Sequence, residues 1–389
     1  MQSFIMAGFA LLMLLLLSPR GLAYAPGIAG LLACGGLYFV AHTRPLFNRT
    51  AAGAVGGLLL LAALSALWSS QPSDALERTL KVALVLGPGL LLLAAAQTIA
   101  MGRALLWPAL AVAVVAVLAA VELAFDFPLY RVASGVPAGD FVPPAQINRT
   151  MVSLIMFLPL AAYAALRVRG PAVAALIGAS ILPALFMTES QSSQLAVVIG
   201  ALCLCLPLRR KIIWVAIAVI LAAAIMLTPW IAQWMFGHLT TTLTANNFTG
   251  AGGGYAGHRM EIWDAIARVT LERPLYGYGI EAVRYMDSLP LANLYHQGAS
   301  TLHPHNFALQ FWVEFGVIGA VFITALCLLI LRTLYTLRDN PATRWLLASF
   351  AVTISIAAMG YGIWQGWWLG LLMLQVAFST LLLRAHQSL

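Results

Sequence analysis

The sequence predicts an all-α polytopic integral membrane protein with about twelve transmembrane helices and one large loop on the outer side. Of its 389 residues, 62% are hydrophobic and only 9% are charged, and the mean hydropathy is +0.91. Soluble domains carry about 25% charged residues, and disordered chains combine low hydrophobicity with high charge, so both classes are excluded. The apolar residues form long unbroken runs and not alternating ten-residue segments, which favours a helical bundle over a β-barrel.

The apolar runs set the order of the predicted helices. A helix needs roughly 20 apolar residues to span the bilayer core. Twelve runs come near this length, and the eighth is short; they cover residues 3–19, 21–41, 52–68, 80–98, 104–124, 150–167, 171–188, 194–208, 212–230, 306–334, 345–363 and 366–383. We therefore divide the chain into membrane helices 1–9 at residues 1–230, a large outer loop with an amphipathic helix at 231–305, and membrane helices 10–12 at 306–389.

Basic residues sort the connections between these runs into two sides. Cytoplasmic loops of membrane proteins carry an excess of Lys and Arg. With a cytoplasmic N-terminus, every loop on that side is short and basic, and Asp339 is the only acid there. These loops hold Arg44, Arg49, Arg103, Arg167, Arg169, Arg209, Arg210, Lys211, Arg332, Arg338, Arg344 and Arg384. We therefore predict that both termini are cytoplasmic, and that the net charge of +8 reports topology and not a nucleic-acid partner.

The predicted outer loop at 231–305 is too rich in Trp, Tyr, Arg and His for a mere linker. Loops of this length in a compact bundle are usually functional or disordered. Between residues 258 and 273 apolar residues recur at helical spacing, Asp264 and Arg268 form an i, i+4 pair, and Pro274 ends the pattern. We predict an amphipathic helix on the outer face of the bundle, whose charges either contact a ligand or are simply solvated.

Two histidines stand directly before the tenth run, in the sequence His303-Pro304-His305. Imidazoles with pKa values near neutrality can move protons at physiological pH, and Pro304 favours an extended backbone between these two. One interpretation is that they supply a general base. A second is a metal site completed by His258 or His296, which no known metal motif supports. A third is that both rings merely lie at the membrane boundary.

The outer side carries several arginines and almost no lysine. They are Arg131, Arg149, Arg259, Arg268, Arg273 and Arg284. The planar guanidinium grips phosphate through two parallel hydrogen bonds. Arg149 lies at the start of a membrane helix, where an ionisable residue is a functional hypothesis by default and snorkelling to the interface is the alternative. Arginines, histidines and aromatic residues against a bilayer suit an amphiphilic anionic substrate, such as a lipid-linked pyrophosphate.

One spacing in this region resembles a known family. His305-Asn306, nine residues, Gly316, two residues and Gly319 are similar to the His–Asn/Ser/Gln, x9, Gly-x-x-Gly pattern of the O-antigen ligase and polymerase superfamily. Upstream, Arg259 with Trp263, then Pro274 and Gly277-x-Gly279, resembles the large periplasmic loop of the same family. The twelve-helix layout, with both termini inside and a long loop between helices 9 and 10, is also similar.

The resemblance implies an O-antigen ligase of lipopolysaccharide biosynthesis: an inverting glycosyltransferase, free of metal and other cofactors, in the bacterial inner membrane with its active site on the periplasmic side. It implies an undecaprenyl-pyrophosphate-linked glycan as donor and lipid A–core as acceptor. By match to the family pattern, His305 is the general base and His303 is the second candidate for that role. Asn306 supports the base, and Arg259 binds the pyrophosphate. Relatives place a Ser-Arg pair where this chain has residues 190–194, SQSSQ, so we expect Arg149 or Arg284 to supply the missing phosphate ligand.

Two alternatives stay open at this point. The polymerase branch of the superfamily joins glycan units on the same lipid carrier, and acceptor pockets are not readable from sequence. A secondary transporter, from a different class, is permitted by twelve helices and by Glu314 inside the tenth run, although transporters usually show internal repeats and broken helices.

Overall fold

A computed structural model describes residues 8–9, 11–99, 102–245, 255–286 and 303–385. Every regular element in this part of the chain is helical. The α-helices are α1 (Ala25–Gly35), α2 (Arg49–Leu64), α3 (Pro72–Thr98), α4 (Leu106–Ala124), α5 (Pro128–Ser134), α6 (Asn148–Arg169), α7 (Pro171–Ala179), α8 (Leu182–Met187), α9 (Gln191–Leu204), α10 (Lys211–Met226), α11 (Thr228–Ala245), α12 (Tyr255–Glu272), α13 (Phe307–Thr336), α14 (Thr343–Ala357) and α15 (Gly366–Ala385).

The predicted class, an all-α polytopic membrane protein, is confirmed. Six helical stretches of the described chain are long and apolar enough to cross a membrane: Arg49–Leu67, Pro72–Thr98, Gly102–Ala124, Pro144–Arg169, Phe307–Thr336 and Gly366–Arg384. A seventh span results if the bent pair Lys211–Met226 and Thr228–Leu239 is counted as one. The other apolar helices, among them α9 and α14, are shorter than 18 residues. The number twelve and the division at residues 230 and 305 therefore stay predictions.

Helix α6 forms the centre of the bundle and carries Arg149 at its start. Leu154, Phe157, Ala161 and Ala164 are fully buried, and the helix packs against α4, α7 and α14. Its buried residues recur on all sides, which is typical of a helix surrounded by others and not of one that faces lipid. The centre of the bundle therefore holds the start of α6 in a fixed position.

Two predicted runs end elsewhere than expected. The ninth run was predicted to end at residue 230, but the helix bends by 76° at Leu227 and continues as α11 into the predicted loop. Pro229 explains the break, because proline has no N–H to continue the helical ladder. The eleventh run was extended to residue 363, whereas α14 ends at Ala357. The residues that follow are apolar and aromatic, so hydropathy did not mark the loop at 358–365.

The helix predicted between residues 258 and 273 is observed as α12. It pairs with α11 and packs on α13, and a second apolar cluster that includes Ile262, Trp263, Ile266 and Leu309 fills the space between them. Burial here extends beyond one face, since Glu261 is 1% exposed and Asp264 is 5% exposed. Helices α11 and α12, with the segment that follows α12, thus form a layer of protein against α13, here called the outer layer. The predicted ion pair of Asp264 with Arg268 is observed at 2.9 Å.

At a break in α13, backbone hydrogen bonds join the outer layer to the bundle. Gly316 adopts φ 61° and ψ −151°, which interrupts the helical hydrogen bonds. The carbonyl oxygens of Val313 and Glu314 instead accept from the N–H groups of Tyr278 (2.9 Å) and Gly279 (2.8 Å). The Val317 N–H donates to the Pro274 carbonyl at 2.7 Å.

Glycine is required on both sides of this junction. A Cβ on Gly316 would lie 2.4 Å from the backbone of Leu275, and one on Gly277 would lie 2.6 Å from the backbone of Glu314. Both glycines also have positive φ. The Gly-x-Gly sequence and the first glycine of the Gly-x-x-Gly pattern are therefore the two halves of one backbone contact.

Candidate active site

The two histidines lie side by side between the outer layer and the bundle. Their ring centroids are 4.2 Å apart. The segment is fixed on one side by the Trp263 indole, which donates to the Pro304 carbonyl at 2.7 Å. On the other side the Asn306 side chain accepts from the Leu309 N–H at 3.0 Å and so caps the start of α13. Asn306 therefore supports the position of the histidines and does not contact a substrate through this oxygen.

His305 is held in a single tautomer. Its backbone is left-handed, with φ 55°, and its Nδ1 lies 2.6 Å from the Gly360 carbonyl oxygen. A carbonyl can only accept, so Nδ1 carries the proton and Nε2 is left unprotonated. Burial lowers the pKa of His305 below its usual value, the bond to Gly360 opposes this, and the charge of Arg259 lowers it further. The ring is therefore neutral at physiological pH, with a basic nitrogen.

His303 accepts a hydrogen bond through Nε2, whereas His305 donates one through Nδ1. The Trp367 indole donates to the Gln365 side-chain oxygen Oε1 at 2.6 Å, which turns the side-chain nitrogen Nε2 of Gln365 towards His303 Nε2 at 3.3 Å. The Nε2 lone pair is thus occupied, and the proton belongs on Nδ1. Burial, with the charges of His305 and Arg284, lowers the pKa of His303 to about 4. Its Nδ1 is buried and has no hydrogen-bond partner within the described residues.

All three predicted phosphate ligands act on this region of the protein. Arg259 acts on the pKa of His305, and Arg284 acts on that of His303. Arg149 lies over the Trp367 ring, 5.6 Å from its centroid. Burial raises the pKa of Tyr361 to about 12, and the positive charges of Arg149 and Arg259 oppose this rise. Tyr361 therefore stays protonated, as a neutral hydrogen-bond donor within range of both positive charges.

Arg284 is positioned by an acid that the sequence reasoning did not consider. Glu281 has φ 58°, and its carboxylate lies 2.8 Å from Arg78 and 3.6 Å from Arg284. Arg78 belongs to α3, so this ion pair joins the loop after α12 to the bundle. One carboxylate between two guanidinium groups leaves an excess of positive charge at this edge of the site.

Glu314, which was weighed as evidence for a transporter, is fully buried behind the site. One of its oxygens accepts from the Gln310 amide at 2.8 Å and the other from the Trp364 indole at 2.6 Å. The side-chain oxygen Oε1 of Gln310 accepts from the Ile363 N–H at 3.0 Å. These bonds hold the loop at 358–365, which carries Gly360, against α13. The contacts of Glu314 thus position the partner of His305.

The remaining sequence candidates take other places. Ser190 and Ser193, in the segment that departs from the Ser-Arg pair of relatives, are buried with their hydroxyl oxygens 2.7 Å apart. The Gln194 amide donates to carbonyl oxygens at 185 and 188, so this segment is committed to local structure. For the metal interpretation, the described residues contain no group of three or more His, Cys, Asp or Glu arranged to hold an ion, and His296 lies outside them.

Sequence reasoning missed Arg78, Tyr361, Gln365 and Trp367. Arg78 lies with Lys81 in the first turns of α3. Charged residues at the start of a membrane helix are a signal in the sequence that could have marked Arg78 as a functional candidate. The other three lie in an aromatic stretch interrupted by Gly360 and Gly362. Glycines that flank a tyrosine within an apolar run indicate a loop more than a helix. A Cβ on Gly362 would lie 2.8 Å from the His303 ring, so the second glycine makes room for that histidine.

Comparison with known proteins agrees with the resemblance noted from the sequence. Residues 175–324 match the family model described as O-antigen ligase. A Rickettsia conorii protein named as a candidate polysaccharide ligase is 30% identical over 118 residues, which cover 29% of each chain. A Rickettsia typhi protein of the same description is 28% identical over 198 residues, 49% of this chain and 47% of that protein. The resemblance to the O-antigen ligase family is confirmed, and the chain spans less than half the length of these relatives in each alignment.

Proposed function

Because residues 175–324 match the O-antigen ligase family, we propose that this protein is an O-antigen ligase. It transfers polysaccharide from undecaprenyl pyrophosphate to lipid A–core, with inversion, on the periplasmic side of the bacterial inner membrane, and both termini are cytoplasmic. The observation that carries the proposal is the state of His305. Its Nδ1 is bound to the Gly360 carbonyl, and its lowered pKa leaves Nε2 as a neutral base beside Arg259.

His305 acts as the general base in this proposal. Its Nε2 takes the proton of the acceptor hydroxyl as the oxygen forms a bond to the anomeric carbon of the donor sugar. The bond between that carbon and the phosphate oxygen breaks on the opposite face, and its electron pair leaves with the lipid pyrophosphate. Proton transfer of this kind contributes about 10²–10⁴-fold to rate. His303 is the weaker candidate, because Gln365 occupies its Nε2 and its pKa is about 4.

Arginines stabilise the departing pyrophosphate. Negative charge grows on the leaving oxygen, and donors that are already oriented towards it stabilise the transition state without further reorganisation. The charges of Arg259 and Arg149 both act on Tyr361, and that of Arg259 also acts on His305, so two positive charges and one neutral donor are within electrostatic range of the proposed base. Arg284, held by Glu281, supplies the third guanidinium group. Such groups do the work that a divalent ion does in other glycosyltransferases, so no cofactor is needed.

A reconstituted transfer assay tests the proposal. The purified protein receives undecaprenyl-pyrophosphate-linked glycan and lipid A–core in EDTA, beside His305→Gln and Arg259→Gln. Arg273→Gln is the matched control, since Arg273 lies close to α12 but its guanidinium stacks on Tyr278 at 4.8 Å. We expect a ladder on lipid A–core from the native protein and the control. Each site variant should lower the rate by at least about 10²-fold.

The other outcomes of this assay identify the alternatives. Longer glycan that remains on the carrier would make the protein a polymerase. No turnover of glycan by the native protein would favour the transporter. Loss of transfer in EDTA with recovery in Mg²⁺ would refute the metal-free reaction.

A further inference from the structure

A cavity of about 590 Å³ lies at the end of the bundle opposite the histidines. Its wall includes Tyr163, Leu208, Arg209, Arg210, Arg338 and Arg344. Arg149 and Tyr163 are fourteen residues apart on α6, which corresponds to about 21 Å at 1.5 Å per residue. Likewise, α13 runs from the histidine segment at its start to Arg338 just beyond its end. The cavity is thus separated from the candidate active site by most of a membrane thickness.

The cavity carries an excess of positive charge. Asp339 is the one acid among its lining residues, against four arginines. Within the described part of the chain, none of these arginines lies within 4.0 Å of a carboxylate. Arg338 is oriented instead by the Tyr335 ring, 4.6 Å from its centroid. Four cations around one concave surface without acidic partners are complementary to an anion.

The inner wall adds a polar group that has no partner. Tyr163 is 2% exposed, lies 6.1 Å from the Trp345 ring, and its hydroxyl makes no hydrogen bond within the described residues. Buried hydroxyl groups are normally paired, so an unpaired one at the base of a cavity indicates a ligand atom or bound water. The loop that carries Arg209 and Arg210 is fixed by the Trp214 indole, which donates to the Leu208 carbonyl at 2.6 Å.

We propose that this cavity binds the phosphate headgroup of an anionic phospholipid. Arginine side chains match phosphate oxygens in geometry and charge. Beside them, Leu166, Pro207 and Trp345 give the wall apolar surface for the glycerol backbone, and Asn340 adds a polar group at headgroup level. The cavity volume is within the range of about 300–1,000 Å³ for ligand pockets. With the predicted orientation the cavity faces the cytoplasmic leaflet, where anionic lipids are concentrated. The site does not depend on the proposed transfer reaction.

Native mass spectrometry of the purified full-length protein tests this site. The protein is titrated with phosphatidylglycerol, with phosphatidylcholine and with glycerol 3-phosphate. The test variant is Arg338→Gln with Arg344→Gln, and the matched control is Arg169→Gln with Arg332→Gln. The control removes the same charge from exposed arginines at the same end of the bundle but outside the cavity wall.

We expect phosphatidylglycerol to bind the native protein and the control more tightly than phosphatidylcholine does. The test variant should bind phosphatidylglycerol at least about tenfold more weakly, since each arginine near a lipid phosphate contributes about fivefold. Equal loss in both variants would mean general attraction of charge and would refute the site. Binding of glycerol 3-phosphate as tightly as the lipid would refute a lipid ligand in favour of a soluble phosphate.

Folding is checked separately from binding. If the test variant is not monodisperse, Arg209→Gln with Arg210→Gln replaces it, because both side chains are exposed and the backbone of their loop is held by Trp214. The same tenfold loss is expected of this pair. Tyr163→Phe, which removes only the unpaired hydroxyl, should weaken lipid binding a few-fold and leave phosphatidylcholine binding unchanged. Unchanged phosphatidylglycerol binding in both would refute the site.

Discussion

Substitution of Gly316 by alanine tests the backbone junction between α13 and the outer layer. An alanine would have to adopt φ 61° and ψ −151°, a region that costs about 1–3 kcal/mol. Its Cβ would also lie 2.4 Å from the backbone of Leu275, which is not a flexible side chain that can move away. Displacing that segment weakens the hydrogen bonds of 2.7–2.9 Å that join it to α13, each worth about 1 kcal/mol. We expect Gly316→Ala to destabilise the protein by about 3–6 kcal/mol.

The assay is the apparent melting temperature in detergent at one fixed scan rate, since membrane proteins often unfold irreversibly. A loss of this size should lower the melting temperature by roughly 5–15 °C. The control is Gly56→Ala in α2, where an added Cβ meets nothing within 4 Å and alanine favours the helix. Melting temperatures of the two variants within about 1 °C of each other would refute the reasoning.

Three further predictions concern the site, one of its supports and the start of α5 elsewhere in the protein. The transfer rate should be constant from about pH 8 to pH 7 and fall in acid with a midpoint below about 6.5, the pKa of a free histidine. The reason is that burial lowers the pKa of His305 and only the neutral ring accepts a proton. A midpoint above about 7 in the rate profile would contradict this. Trp263→Phe leaves the buried Pro304 carbonyl without its donor, so we expect a loss of about 1–3 kcal/mol in the melting assay and a lower transfer rate. Glu122→Ala removes the carboxylate that accepts from the Leu129 N–H at 2.7 Å, so stability should fall by about 0.5–2 kcal/mol while transfer per folded molecule stays unchanged, and an inactive but stable variant would contradict it.

Local patterns in the sequence predicted some features well. Long apolar runs predicted helices because each transmembrane helix must satisfy its own backbone in lipid, and that requirement leaves a signal in consecutive residues. Helical spacing and Pro274 likewise located α12 to within a few residues at each end. Asn306 caps α13 through a contact between residues only three apart, while its supporting role in the reaction stays a prediction.

The contacts that define the site are distant in sequence. The Gly360 carbonyl that fixes the tautomer of His305 is 55 residues away, and Gln365 is 62 residues from His303. The hydropathy pattern did not reveal the loop at 358–365, because the residues of this loop that pack on the histidines are themselves aromatic. A choice between His303 and His305 as the base was therefore impossible from sequence, since it depends on which ring nitrogen each distant partner occupies.

The break in α13 also divides that helix into two parts with different roles. Phe307–Thr336 has 30 residues, about 45 Å of helix, whereas the hydrocarbon core of a bilayer is about 30 Å thick. The part that follows Gly316 has the length of one crossing by itself. The first turns are therefore not needed as a membrane anchor, and they carry the polar groups Gln310 and Glu314 that hold the loop of Gly360. A single hydropathy peak thus contains two parts, one long enough to cross a membrane and one that holds the candidate active site in place.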